Sequence, residues 1–183
     1  MGAKGSFSEE AARIYAKKHG RFKVQELEYL VTAERVLGAL EKGSIDLGIF
    51  PIENSNAGVV LEVIYAMAKH RFSIKKLFDI EIHQNLLVKK GVTAENIKTI
   101  ASHEQALKQC KMYLHQRWGK AKLMEYEDTA KAAEDLARGK LSATTAVIAS
   151  RAAAEVYGLH ILEASIQDLK INHTTFIAAE RSR

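Results

Sequence analysis

Strand-like and helix-like segments alternate along almost the whole chain, and a single proline, Pro51, falls among them. Short β-branched or apolar runs at Asp46–Ile52, Ile97–Ala101, Lys122–Tyr126 and Ala143–Ala149 are each followed by a helix-forming stretch. That order predicts an α/β fold with largely parallel sheets flanked by helices. Ser8 ahead of Glu9-Glu10 predicts a helix cap, with the helix running to about His19 and ended by Gly20. Thr32 opens a second helix through Leu40, ended near Gly43. Further helices are expected over Gly58–Lys69, His103–Trp118, Thr129–Arg138 and Ser150–Tyr157. Further strands are expected over Phe22–Leu30, through the apolar stretch Phe72–Val88 as one strand or two, and at His160–Leu162 and Thr174–Ala179. The segment from about Ile82 to Glu163 holds its own set of alternating units, and the last strand has no helix after it. A chain that crosses over and returns in this way predicts two lobes with a central cleft.

Composition removes several classes of function. Of 183 residues, 47% are hydrophobic, enough for a substantial core. The net charge is +5, but basic residues come at most in pairs, such as Lys17-Lys18, Lys75-Lys76 and Lys89-Lys90. A nucleic-acid binder needs a denser stripe. One cysteine, Cys110, can build neither a disulfide framework nor a zinc site within one chain, and it reads as a small buried side chain. His83, inside an apolar run, reads as a core histidine. No apolar run has the length of a membrane span, and Met1–Ser8 lacks a signal-peptide core. The chain reads as cytoplasmic and metal-free, without P-loop, dinucleotide fingerprint or serine elbow.

Polar motifs recur where strands end and helices begin. Gly5-Ser6-Phe7-Ser8 suits an anion at a helix start, or a plain cap by Ser8. Pro51-Ile52-Glu53-Asn54-Ser55 ends a buried strand. Asn54 can hydrogen-bond a ligand's carboxylate or hydroxyl, or close its own turn. Ser102-His103 opens a helix carrying Gln105 and, one turn on, Gln109. Here Ser102 caps the helix or holds a carboxylate, and His103 supplies charge or a proton. Asp128-Thr129 repeats the pattern. Ile166-Gln167-Asp168 leads through Asn172 to the final run His173-Thr174-Thr175-Phe176.

In this order and at these separations the motifs resemble the catalytic domain of the prephenate dehydratases, from Gly5 to Phe176. The Ser102 to Cys110 block and the stretch ending in Tyr157-Gly158-Leu159 belong to the same resemblance. It implies a fold like the type II periplasmic binding proteins: one lobe from 1–80 plus 165–183 and a second from 81–164. The family's usual phenylalanine-sensing ACT domain is not expected in this chain, which ends at Arg183. It implies decarboxylative dehydration of prephenate to phenylpyruvate, without metal or organic cofactor, in phenylalanine biosynthesis. Thr174 is then the catalytic residue that assists departure of the ring hydroxyl. Asn54, Ser102 and Gln109 hold the substrate, Ser6, Ser8, Ser55 and Thr129 contact its carboxylates, His103 is a further substrate-binding residue that supplies charge or a proton, and Phe176 shapes the wall. Expected partners are a second copy in a homodimer, or chorismate mutase, prephenate dehydrogenase or a regulatory domain, fused or associated.

The chain departs from the family pattern at three places. Thr175 stands where the family has arginine, a fixed bidentate charge expected beside the substrate. Glu104 replaces a proline. Only Met1-Gly2-Ala3-Lys4 precedes Gly5, where relatives carry an apolar strand. These departures raise the alternative of a non-catalytic, carboxylate-binding module that regulates a partner enzyme.

Overall fold

A computed structural model of the chain describes residues 1–19 and 26–182. The described residues form two compact units. The first comprises Met1–Ala3, Phe7–Glu81 and the C-terminal segment from Ile171; the second comprises Lys4–Ser6 and Ile82–Lys170.

In the first unit, helices α1 (Phe7–His19), α2 (Ala33–Lys42) and α3 (Leu61–Met67) accompany a four-stranded sheet. Its strands are β1 (Gly48–Asn54), β2 (Gly58–Val59), β3 (Phe72–Glu81) and β9 (His173–Arg181), in the order β2-β1-β9-β3. Helix α2 has the ends its sequence announces. The Thr32 hydroxyl accepts from the Arg35 N–H, and Gly43 turns left-handed at φ 71°. Its apolar stripe of Val36, Leu37 and Leu40 packs with Phe50, Val63, Ile177 and Ala179. Gly48 lets this helix approach the sheet: a Cβ there would lie 2.7 Å from Val36 and 2.9 Å from Leu40.

The second unit is built on a five-stranded sheet in the order β6-β5-β7-β4-β8. The strands are β4 (Asn85–Val88), β5 (Thr99–Ser102), β6 (Lys122–Glu125), β7 (Thr145–Ala149) and β8 (His160–Glu163). Helices α4 (Glu104–Gln109), α5 (Lys111–Trp118), α6 (Thr129–Ala137) and α7 (Arg151–Tyr157) flank it. Strand alternation divides two cores. Leu86, Val88, Ile100 and Ile148 pack with Leu107, Cys110 and Leu114, whereas Leu87, Ala101 and Val147 pack with Ala132, Leu136 and Ala153. Strand β7 is buried along its whole length, which explains its unbroken apolar run. Lys4–Ser6 is held in this unit by Ser150, whose hydroxyl caps α7 at the Ala153 N–H and donates to the Gly5 carbonyl at 2.6 Å.

The α/β class is as expected, but the strand directions are not. Among the described residues only β5 pairs in parallel, with β6 and β7, while β4 runs antiparallel to β7 and β8. All three pairings of the first sheet are antiparallel. The cause is that β1 and β2 form a hairpin, and the returning β9 inserts between β1 and β3 against both. The hairpin also displaces the helix expected from Gly58, which begins at Leu61. The apolar stretch from Phe72 is two strands, broken at 82–84. The single helix expected over His103–Trp118 is two, divided at Cys110 (φ −112°, ψ 15°). Residues 22–25 of the strand expected at Phe22–Leu30 lie outside the described residues. Its described end, 27–30, is not strand, and Val31 makes only an isolated bridge to Gly2.

Candidate active site

In the first unit a polar cluster forms where β1 and β9 end together. Asn54 pairs across the sheet with Thr174, and their side chains meet on the same face. Asn54 Nδ2 donates to Thr174 Oγ1 at 2.9 Å, to Asn172 Oδ1 at 2.9 Å and to the His173 carbonyl at 3.1 Å. The amide is held from behind, because Asn54 Oδ1 accepts the Asn56 and Ala57 N–H groups, each at 3.0 Å. Of the two readings of Asn54, the structure shows the turn: its oxygen closes it, while its nitrogen donates to Thr174. Asn172 is fully buried and Thr174 is 8% exposed. Ser55 locks the neighbouring turn, its N–H donating to the His173 carbonyl and its hydroxyl accepting the His173 N–H.

The Thr174 oxygen thus accepts a hydrogen bond, while its own O–H remains a donor. An N–H donated to a hydroxyl oxygen draws charge from it and strengthens the proton it can give.

Thr175 occupies the other face. Successive residues of a strand alternate, so Thr175 lies with Ile177 and Ala179 and not with Thr174. Its register neighbours are Glu53 and Asp79, and its hydroxyl donates to Asp79 Oδ1 at 2.6 Å. The expectation that residue 175 offers charge beside Thr174 is corrected: a side chain here stands between two carboxylates on the opposite face. Phe176 shares the Thr174 face but is 1% exposed and stacks on Phe78 at 6.0 Å. It is a core residue of this unit. Ser8 lies inside α1, which starts at Phe7, so it does not cap that helix.

In the second unit lie Ser6, Ser102, His103, Gln109 and Thr129. Ser102 is not the cap of α4. It ends β5, fully buried, and donates to the Ile148 carbonyl at 2.6 Å, tying β5 to β7. His103 is the cap, its Nδ1 accepting from the Gln105 N–H at 3.2 Å. Asp128 caps α6, and Thr129 is its first residue. His83 is exposed and not in the core, its Nδ1 3.2 Å from Ser165 Oγ, because it falls on the outward side of the link between β3 and β4. Cys110 is fully buried and its thiol is pushed up to about 12 by desolvation, so it is held protonated.

Residues 166–168 have a role that motif reading alone did not reveal. The Ile166 N–H donates to the Gln84 carbonyl at 2.8 Å, and Gln167 Oε1 accepts the Gln84 N–H at 3.0 Å. The Asp168 N–H donates to the Gln109 carbonyl at the end of α4, and its carboxylate caps α5 by accepting the Met112 and Tyr113 N–H groups. The Gln84 side chain, which belongs to none of the polar motifs, donates from Nε2 to Gln109 Oε1 at 3.0 Å.

A family model for prephenate dehydratase matches residues 1–183. The chain belongs to the prephenate dehydratase family. A bifunctional chorismate mutase/prephenate dehydratase of Enterobacter agglomerans is 31% identical over 181 residues, covering 99% of this chain and 46% of that protein. Arogenate dehydratase 5 of Arabidopsis thaliana, a chloroplastic protein, is 38% identical over 143 residues, covering 78% of this chain and 33% of that protein. The chain therefore spans less than half the length of these relatives. The crystal structure of the prephenate dehydratase from Arthrobacter aurescens in complex with L-Phe superposes with a TM-score of 0.84 at 24% identity. All of this chain and 59% of that one are covered, a likeness that establishes the fold. Among the described residues, no helix is long and apolar enough to cross a membrane.

Proposed function

We propose that this chain is the catalytic domain of a prephenate dehydratase, converting prephenate to phenylpyruvate, water and CO2. The reaction breaks the ring C–O bond and the bond to the ring carboxylate. The electron pair released with CO2 enters the ring, and the leaving hydroxide takes up one proton from the solvent to depart as water. What the protein must supply is a hydrogen-bond donor at the departing hydroxyl and contacts for two carboxylates.

The observation that carries this reading is the Asn54–Thr174 pair. Thr174 accepts from an amide that is itself fixed by two backbone N–H groups, which leaves its hydroxyl a polarised donor. An alcohol is a weak acid, so its role is hydrogen-bond donation to the leaving oxygen. Gln109 and, with weaker support, Ser6, Ser8, Ser55, Thr129 and His103 serve the carboxylates. Ser102 and Phe176 contribute through the sheet and the core. A chorismate mutase, fused or associated, is the proposed partner, as the bifunctional relatives suggest.

Arogenate is a second substrate to weigh, because a 38% identical relative is named an arogenate dehydratase. It carries an amine in place of the side-chain ketone and presents the same leaving hydroxyl. Thr174→Ala should lower kcat on the true substrate by about 10²-fold or more with little change in KM, whereas Thr174→Ser keeps most of it. Equal turnover by wild type and Thr174→Ala removes the assigned role. The ratio of kcat/KM for prephenate and arogenate decides between the two substrates.

A further inference from the structure

We infer that Gln84 is a positioning residue for substrate binding, acting through Gln109. Gln84 is 4% exposed, and its Oε1 is a buried side-chain acceptor with no hydrogen-bond partner among the described residues. An orphan buried acceptor is a cost that folded proteins rarely keep without compensation. Here the other end of the same amide is engaged, Nε2 donating to Gln109 Oε1 at 3.0 Å.

Two facing amides have linked orientations. If Gln84 alone turned over, two carbonyl oxygens would face each other, so the two amides keep complementary senses and are oriented together. With Gln84 as donor, the Gln109 carbonyl is held inward and its N–H2 is turned away from Gln84. That sense suits a carboxylate, which accepts and cannot donate. Gln84 has little freedom to yield. Its main chain is gripped on both sides, by the Ile166 N–H and the Gln167 side chain, and Asp168 from the same segment holds the end of α4 that carries Gln109.

The inference rests on Gln109 contacting the substrate, as in the proposed function. The test is steady-state kinetics on prephenate for wild type, Gln84→Met, Gln109→Met and the double variant, with thermal melting of each. Met keeps the length of Gln and removes the donor. Gln84→Met should raise KM about tenfold, the scale of one oriented hydrogen bond to a charged group, with kcat within about twofold. The double variant should be no worse than Gln109→Met alone, because Gln84 acts only through Gln109. An unchanged KM in Gln84→Met, or additive effects in the double variant, overturns the inference, as does a lowered melting temperature with unchanged kinetics. If Gln84→Met does not fold, Gln84→Asn withdraws the donor by one methylene and is read in the same way. A folded wild type that neither binds nor turns over prephenate overturns the function itself, and this inference with it.

Discussion

The hydroxyl of Thr174 and that of Thr175 differ by one position and by a whole face of the sheet. Asn54 polarises the first, and Asp79 receives the second. The sequence made Thr175 look like a lost charge at the site, because linear adjacency suggests spatial adjacency. In a strand it implies the opposite. An arginine at 175 would stand between Glu53 and Asp79, across the sheet from where the substrate chemistry is assigned. Thr175→Arg is therefore expected to raise stability by up to about 1 kcal/mol, as a cross-strand charge pair at a partly exposed position. KM for prephenate should stay within about twofold, as read by denaturant titration and steady-state kinetics. Thr174 and Asn54 could be singled out as candidates because their motifs are recognised residue by residue, and the structure pairs them. Gln84 was not, because its importance lies in a 3.0 Å contact to a residue on a different element.

At the scale of elements, the end signals read most reliably. Thr32 and Gly43 bound α2, Asp128 caps α6, and Ser150 and Gly158 bound α7, each through short-range bonds that sequence spacing encodes. The break between α4 and α5 was hidden because its cap is remote. Asp168 lies 55 residues from Tyr113 along the chain, yet accepts its N–H at 2.9 Å. Asp168→Ala should cost about 1 kcal/mol, the usual worth of an N-cap, in urea-induced unfolding. In the first unit His70 fastens the segment after α3 to α2, its ring nitrogens 2.8 Å from Glu41 and 3.0 Å from Glu34. Hydrogen bonds donated to these carboxylates, first Glu41 and then Glu34, raise its pKa above 6.5. A raised folded-state value means that the stabilisation is complete below the unfolded value near 6.5. It is lost as pH rises through the higher folded value. The stability margin of wild type over His70→Asn should therefore be largest below about pH 6.5 and shrink toward alkaline pH. A constant margin would show that the imidazolium charge contributes nothing.

At the scale of the molecule, alternation of elements gave the α/β class, yet it could not give strand direction. A parallel crossover and an antiparallel return leave similar apolar runs, and only the pairing of β9 with both β1 and β3 reveals the antiparallel first sheet. That pairing is also what brings Asn54 and Thr174 together from positions 120 residues apart. Membership of the prephenate dehydratase family covers the described sheets and helices of both units. The most direct test of the functional account is the purified chain assayed with prephenate at neutral pH, following phenylpyruvate against an enzyme-free control, since prephenate also aromatises spontaneously in acid. The account predicts phenylpyruvate formation far above the control, lost in Thr174→Ala. A folded chain that forms phenylpyruvate no faster than the control would contradict it.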